Sequence, residues 1–197
     1  MSRKAKLIAG ASLCLAAMIA GSANAQAAPL WEVWPPWHVL PVNQVETLSS
    51  KGMLMLWEVG KTTSAKCKIT DTEVIENVAG SGGAVEAIDS MTAFNGTCVG
   101  AATYPCVAGE HFTVNGGKWP SRLIGAVEDE FFGAELEVNC PVLGLKEFYV
   151  GTLHPVLTVN KLTFNGPASG VLKAGIHEIY FTGVDKLKPT GVWKRVR

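Results

Sequence analysis

The chain is predicted to be all-β: a disulfide-stapled antiparallel β-sandwich or open barrel. Three observations predict it. Short runs of strand-forming residues alternate polar and apolar with a period of two, which is the pattern of a half-buried antiparallel strand. Turn residues interrupt these runs at short intervals, with no sustained 3.6-residue periodicity. An even set of cysteines follows an N-terminal segment that has the make-up of an export signal.

That segment comes first in the chain. Arg3, Lys4 and Lys6 precede an apolar run from Leu7 to Ala20, and Ala23-Asn24-Ala25 supplies small residues at a cleavage position. A basic start, a short apolar stretch and an A-x-A site are the three parts of a secretory signal. The apolar run is shorter than the roughly 20 residues a membrane span needs, so residues 1–25 are expected to be cleaved before Gln26. Their loss would remove three of the 17 basic residues and none of the 17 acidic ones, leaving a net charge near minus three. Such a balance gives no reason to expect nucleic acid as a partner. No later segment is long and apolar enough to span a bilayer as a helix.

Residues 26–50 read as an extended leader. Trp31, Trp34 and Trp37 are spaced by three, with Pro35 and Pro36 between the last two. Proline fixes φ and restricts the residue before it, so the segment is expected to be polyproline II or irregular strand. Three such rings either cover an open part of the β core or form an exposed strip for a glycan, a peptide or an apolar ligand. The expectation here is a lid, with at least two of the rings buried.

Residues 51–197 are expected to form a single β domain. Met53 to Val59 is largely apolar, and Cys67-Lys68-Ile69-Thr70 opens an alternating stretch. Residues 84–90 suit either a brief helix or a strand. Glu135 to Cys140 alternates throughout, and Leu157, Val159, Leu162 and Phe164 mark one or two further strands. His177 to Phe181 is another, and Val192 to Arg197 the last. Period-two phase places Leu136, Val138, Leu157, Val159, Ile179 and Phe181 inside, with Glu135, Glu137, Thr158 and Glu178 outside. Turns are expected at residues 80–83, Asn95-Gly96, Asn115-Gly116-Gly117, Asn165-Gly166-Pro167 and Ala174-Gly175, because Asn and Gly tolerate positive φ.

Four cysteines follow the signal: Cys67, Cys98, Cys106 and Cys140. Three pairings are possible, and Cys67 with Cys98 and Cys106 with Cys140 is the favoured one. Each bridge would close a loop worth roughly 2 to 4 kcal/mol. A metal site would call for close pairs such as C-x-x-C, which the sequence lacks, so neither metal nor cofactor is expected.

Catalytic signatures are also missing. There is no G-x-S-x-G, and His177-Glu178 is not continued to a second zinc-binding histidine. Gly60-Lys61-Thr62 resembles the end of a phosphate loop, but Met55 stands at its first glycine position. His38, His111, His154 and His177 are scattered singly. Glu128-Asp129-Glu130 lacks the ligand spacing of a calcium loop, and reads as a turn before Phe131. Asn95-Gly96-Thr97 fits a glycosylation sequon.

The order Cys67, glycine turn at 80–83, Phe94-Asn95-Gly96, Cys98, Trp119-Pro120-Ser121-Arg122-Leu123 and an alternating strand into Cys140 resembles that of small, secreted, largely uncharacterised bacterial β proteins, some labelled alkane-oxidation activator proteins. The resemblance covers about half of the chain after the signal and implies an exported accessory protein with no catalytic residue to carry over. The expected function is a non-enzymatic binding or structural domain, secreted, periplasmic or at the cell surface. Its partner would be a cell-surface component, a glycan or an apolar ligand. The alternative is an extracellular hydrolase using a carboxylate pair drawn from Glu128, Asp129 and Glu135.

Overall fold

The computed structural model describes residues 29–80, 85–124, 127–187 and 193–196. The predicted signal and most of the glycine turn at 80–83 lie outside them. In chain order the strands are β1 Trp31–Trp34, β2 His38–Val39, β3 Val45–Glu58, β4 Ser64–Ala79, β5 Val85–Gly100, β6 His111–Gly116 and β7 Trp119–Leu123. They continue as β8 Asp129–Cys140, β9 Leu145–Leu153, β10 Val156–Thr158, β11 Lys161–Asn165, β12 Leu172–Ala174, β13 His177–Leu187 and β14 Trp193–Val196. The predicted all-β class is what the chain adopts, and residues 85–90, open to helix or strand in the sequence, are strand.

The main sheet is antiparallel and runs full circle. β3, β4 and β5 form a long meander, and β5 pairs with β6 and then β7. Both are flanked on their other side by β8, which is followed by β9, β12 and β13. β13 then pairs back onto β3, from Ile179 opposite Glu58 to Leu187 opposite Ser50. The sheet is a barrel, but a closed one where the sequence suggested a sandwich or an open barrel: this last ladder joins its ends and removes the free edges an open sheet would expose. The hairpin β10–β11 extends the wall beside β13.

Alternation decides what fills the barrel. Leu54, Leu56, Phe94, Phe112, Leu136, Val138, Ile179 and Phe181 are buried inside. Phe94 meets Trp119 at 4.9 Å and Phe181 at 5.7 Å, and Phe181 meets Phe164 at 5.9 Å, so rings cross the interior in contact. The predicted inward set holds for Leu136, Val138, Leu157, Ile179 and Phe181. It fails for Val159, which is 45 % exposed. The strand β10 stops at Thr158, and Val159 sits in the turn before Asn160, whose φ is +56°. Glu135 and Thr158 are exposed; Glu137 and Glu178 face outward, ion-paired to Lys146 and Lys173.

Two predicted turns are not turns. Asn95-Gly96 lies inside β5, where a Cβ on Gly96 would collide with Ile69 and Val114. Gly116 ends β6 beneath the Trp119 ring, and the chain continues in the same direction into β7. Both glycines mark close approach of neighbours rather than reversal. The turns at Gly166 and Gly175 do form, with φ of +71° and +58°.

The tryptophan segment covers one end of the barrel, hereafter the strap end. β1 pairs with β2 and β14 in a small three-stranded sheet. The Trp31 backbone N–H donates to Asn77 Oδ1 at 2.9 Å, its indole N–H to the Ile88 carbonyl at 2.8 Å, and Asn77 Nδ2 to the Leu40 carbonyl at 2.7 Å. The predicted leader is shorter than 26–50, because Val45 onward already belongs to β3.

Candidate functional site

At the end opposite the strap, the turn after β3, the loop 101–110 and the start of β13 enclose a cleft of about 740 Å³, a size suited to a small molecule. Glu58, the last residue of β3, and His177, the first of β13, meet across the seam that closes the barrel. His177 Nδ1 lies 3.1 Å from Glu58 Oε1. The Tyr104 ring lies flat on the imidazole, 3.8 Å between centroids and 1° from parallel. Glu58 Oε2 accepts the Tyr104 backbone N–H at 3.4 Å, so one carboxylate holds both rings. Lys61, Thr62 and Ser64 line the same space and add a cation and hydroxyl groups, while Ala101, Ala102 and Pro105 add an apolar side.

The loop that carries Tyr104 is fixed from below. Cys106 is bonded to Cys140, and Cys67 to Cys98, the favoured pairing. Glu110, itself buried, accepts the Val142 N–H at 2.9 Å and the Val107 N–H at 3.2 Å. It also lies beside the Cys106–Cys140 bridge, a grouping in which the sulfurs are committed to each other and the carboxylate to backbone donors. The buried Tyr149 hydroxyl donates to the Tyr104 carbonyl at 2.7 Å. Burial raises the Tyr149 phenol pKa, with Glu58 and Glu147 adding to the rise, so it stays a donor.

The residues singled out from sequence are distributed differently. Trp31 is fully buried, Trp37 is half-buried, and Trp34 is 42 % exposed and in contact with Trp37 at 5.9 Å. One ring rather than two is fully buried, because β1 sends Trp31 and Trp34 to opposite faces: Trp31 points into the barrel end and Trp34 lies beyond it. The three rings therefore form no single strip. Among the carboxylates, Glu128 lies 3.4 Å from His154 Nδ1, Asp129 is completely buried and Glu135 stands on the outer wall, so no pair converges in the cleft.

Sequence reasoning missed a layer of acids inside the strap half. Asp71, Glu73, Asp89, Asp129 and Asp185 are all buried, together with Ser50 and Asn77. The signal was present in β4, where Asp71 and Glu73 share phase with Cys67, Ile69 and Ile75. Ser50 Oγ donates to Asp185 Oδ2 at 3.0 Å and the Lys186 N–H to Oδ1 at 2.9 Å. Burial raises the Asp185 pKa, hydrogen bonds from Asp71 and Ser50 oppose the rise, and Glu73 adds to it. Glu58 and His177 were missed because 119 residues separate them and each looks ordinary alone.

No protein-family model matches the chain, and no curated protein or solved structure matches it. Among the described residues no helix is long and apolar enough to cross a membrane.

Proposed function

We propose that this is a non-enzymatic binding barrel of the cell exterior, secreted, periplasmic or surface-held, that takes a small amphipathic ligand in the Glu58–Tyr104–His177 cleft. The observation that carries the reading is the asymmetry of the two ends. The strap packs Trp31 into one, while the other keeps a recess of about 740 Å³ with a polar side at Glu58, His177 and Lys61 and an apolar side at Ala101 and Pro105. Two disulfides suit an oxidising compartment outside the cytoplasm, and the resemblance to exported accessory proteins points the same way. A hydrolase built on paired carboxylates has less support, since among the described residues Glu58 is the one acid lining this cleft.

The test uses 8-anilinonaphthalene-1-sulfonate, an aromatic anion that brightens in an apolar recess. Wild-type protein should enhance its emission, and Ala101→Trp, which fills the cleft, should abolish the enhancement while the melting temperature stays within a few degrees. Undiminished enhancement in Ala101→Trp would overturn the assignment of the cleft as the binding site.

A further inference from the structure

The outer wall of the barrel carries a second feature, far less expected in a chain with equal numbers of acidic and basic residues. Lys161 on β11, Lys186 on β13 and Lys51 on β3 are direct cross-strand partners in one row. One step further along the wall, Lys68 on β4 sits opposite Met53. In the next row Lys66 sits opposite Val99, itself opposite His111 on β6. All five lysines and His111 are exposed. Together they form a diagonal stripe across six strands, from β11 to β6, and these three rows carry no outward carboxylate between them. Among the described residues none of the six enters an ion pair.

Like charges placed directly opposite on neighbouring strands destabilise a sheet. Two such contacts in one row, Lys161 with Lys186 and Lys186 with Lys51, therefore run against the interest of the fold. The stripe is not flat: a recess of about 330 Å³ lies between Lys66, Lys68 and His111, floored by Met53 and Val99. Beside it Trp57 and Tyr180 lie nearly parallel, 9° apart with centroids at 6.3 Å, and the Trp57 indole N–H donates to Thr182 Oγ1 at 2.9 Å. That bond fixes a flat, half-exposed aromatic platform one step from Lys66.

We propose that this face binds a linear polysaccharide bearing uronate carboxylates. The lysines would meet the carboxylates by charge complementarity, and the aromatic platform would take the apolar face of a sugar ring. A single-stranded nucleic acid fits less well. Such strands are held by aromatic rings recurring along a basic path, whereas the positions between these cations are Met53, Thr97 and Val99. The site lies on the wall between the two ends, so it goes beyond the cleft reading and does not depend on it.

The experiment measures binding of polygalacturonate fragments by microscale thermophoresis, with the fully methyl-esterified, uncharged polymer as comparison. Wild-type protein should bind the charged polymer and not the ester, with affinity falling as salt rises. Lys51→Glu combined with Lys68→Glu should weaken binding by about tenfold or more. If that reversal does not fold, Lys51→Gln with Lys68→Gln carries the same test, and its melting temperature should be unchanged or higher. Trp57→Ala should lose polygalacturonate while keeping linear polyphosphate, which separates sugar recognition from charge alone, and Ala101→Trp in the cleft should bind as wild type does. No binding by the wild type, equal binding by the lysine variants, or equal competition by an oligodeoxynucleotide of matched charge would each overturn the proposal.

Discussion

The two halves of the barrel interior share one wall and one alternation, but the buried acids of the strands gather in one of them. Toward the cleft, inward positions are Leu54, Leu56, Cys67, Phe112, Val138 and Ile179, and both disulfides lie there. Toward the strap they include Ser50, Asp71, Glu73, Asp89, Asp129 and Asp185, set among apolar Leu48, Ile75 and Met91. The apolar half is stabilised by burial of its own side chains. Carboxylates in the other half are costly to remove from water, so that half depends on hydrogen bonds and on a cover. The cover is Trp31, with Leu40 behind it, tied down by Asn77. A closed barrel can thus be polar at one end, provided something else excludes water there.

The sharpest way to break this contrast is to remove the cover. Trp31→Ala should cost about 3 to 5 kcal/mol, through lost burial and the orphaned Ile88 carbonyl. Trp34→Ala, three residues on, should stay within about 0.5 kcal/mol. Urea denaturation of the two variants checks both figures, and similar midpoints would show that Trp31 does not hold the polar half together.

How much of this was legible in the sequence follows the same divide. The strand Glu135 to Cys140 and the inward phase of Leu136 and Val138 could be read because period two is a local property. The even cysteine count leaves three pairings open, and the favoured one is the one that formed. Closure of the barrel by β3 on β13 left no local trace, since it joins segments more than a hundred residues apart, as with Glu58 and His177. The acids of β4 stand at inward phase in the sequence, but a carboxylate at such a position runs against the apolar pattern that marks a core. Gly96 and Gly116 misled for a related reason: a glycine that admits a neighbour and one that reverses the chain look alike in sequence.

The next effect in size sharpens the apolar side of the comparison. The two disulfides close loops of 31 and 34 residues, so replacing either pair by alanine should cost about 3 to 4 kcal/mol on chain-entropy grounds. Their effects on the cleft should differ. Cys67 and Cys98 join strands already held by a long ladder, whereas Cys106 ties the Tyr104 loop to β8. Loss of Cys106 and Cys140 should abolish the anilinonaphthalene-sulfonate response, and loss of Cys67 and Cys98 should spare it. Equal responses from the two double variants would detach the cleft from its staple.

The smallest effect probes the acidic half, and its sign is fixed by burial. Asp185 holds its proton to a higher pH in the folded protein than in the unfolded chain, whose carboxyl titrates near 3.9. Between those two values the native state binds more protons. Its contribution therefore falls as pH rises through the window, and the loss is complete above the folded pKa. Asp185→Asn cannot titrate, yet its side-chain oxygen can still accept from Ser50 or Lys186 and its amide can donate to Asp71. The stability of Asp185→Asn relative to wild type should accordingly be least favourable near pH 4 and improve as pH rises, before it levels off. Denaturant midpoints for both proteins at a series of pH values measure the difference directly. A difference that stays constant across that range would mean that Asp185 ionises as readily inside the barrel as outside it, and that the strap does not keep the acidic layer dry.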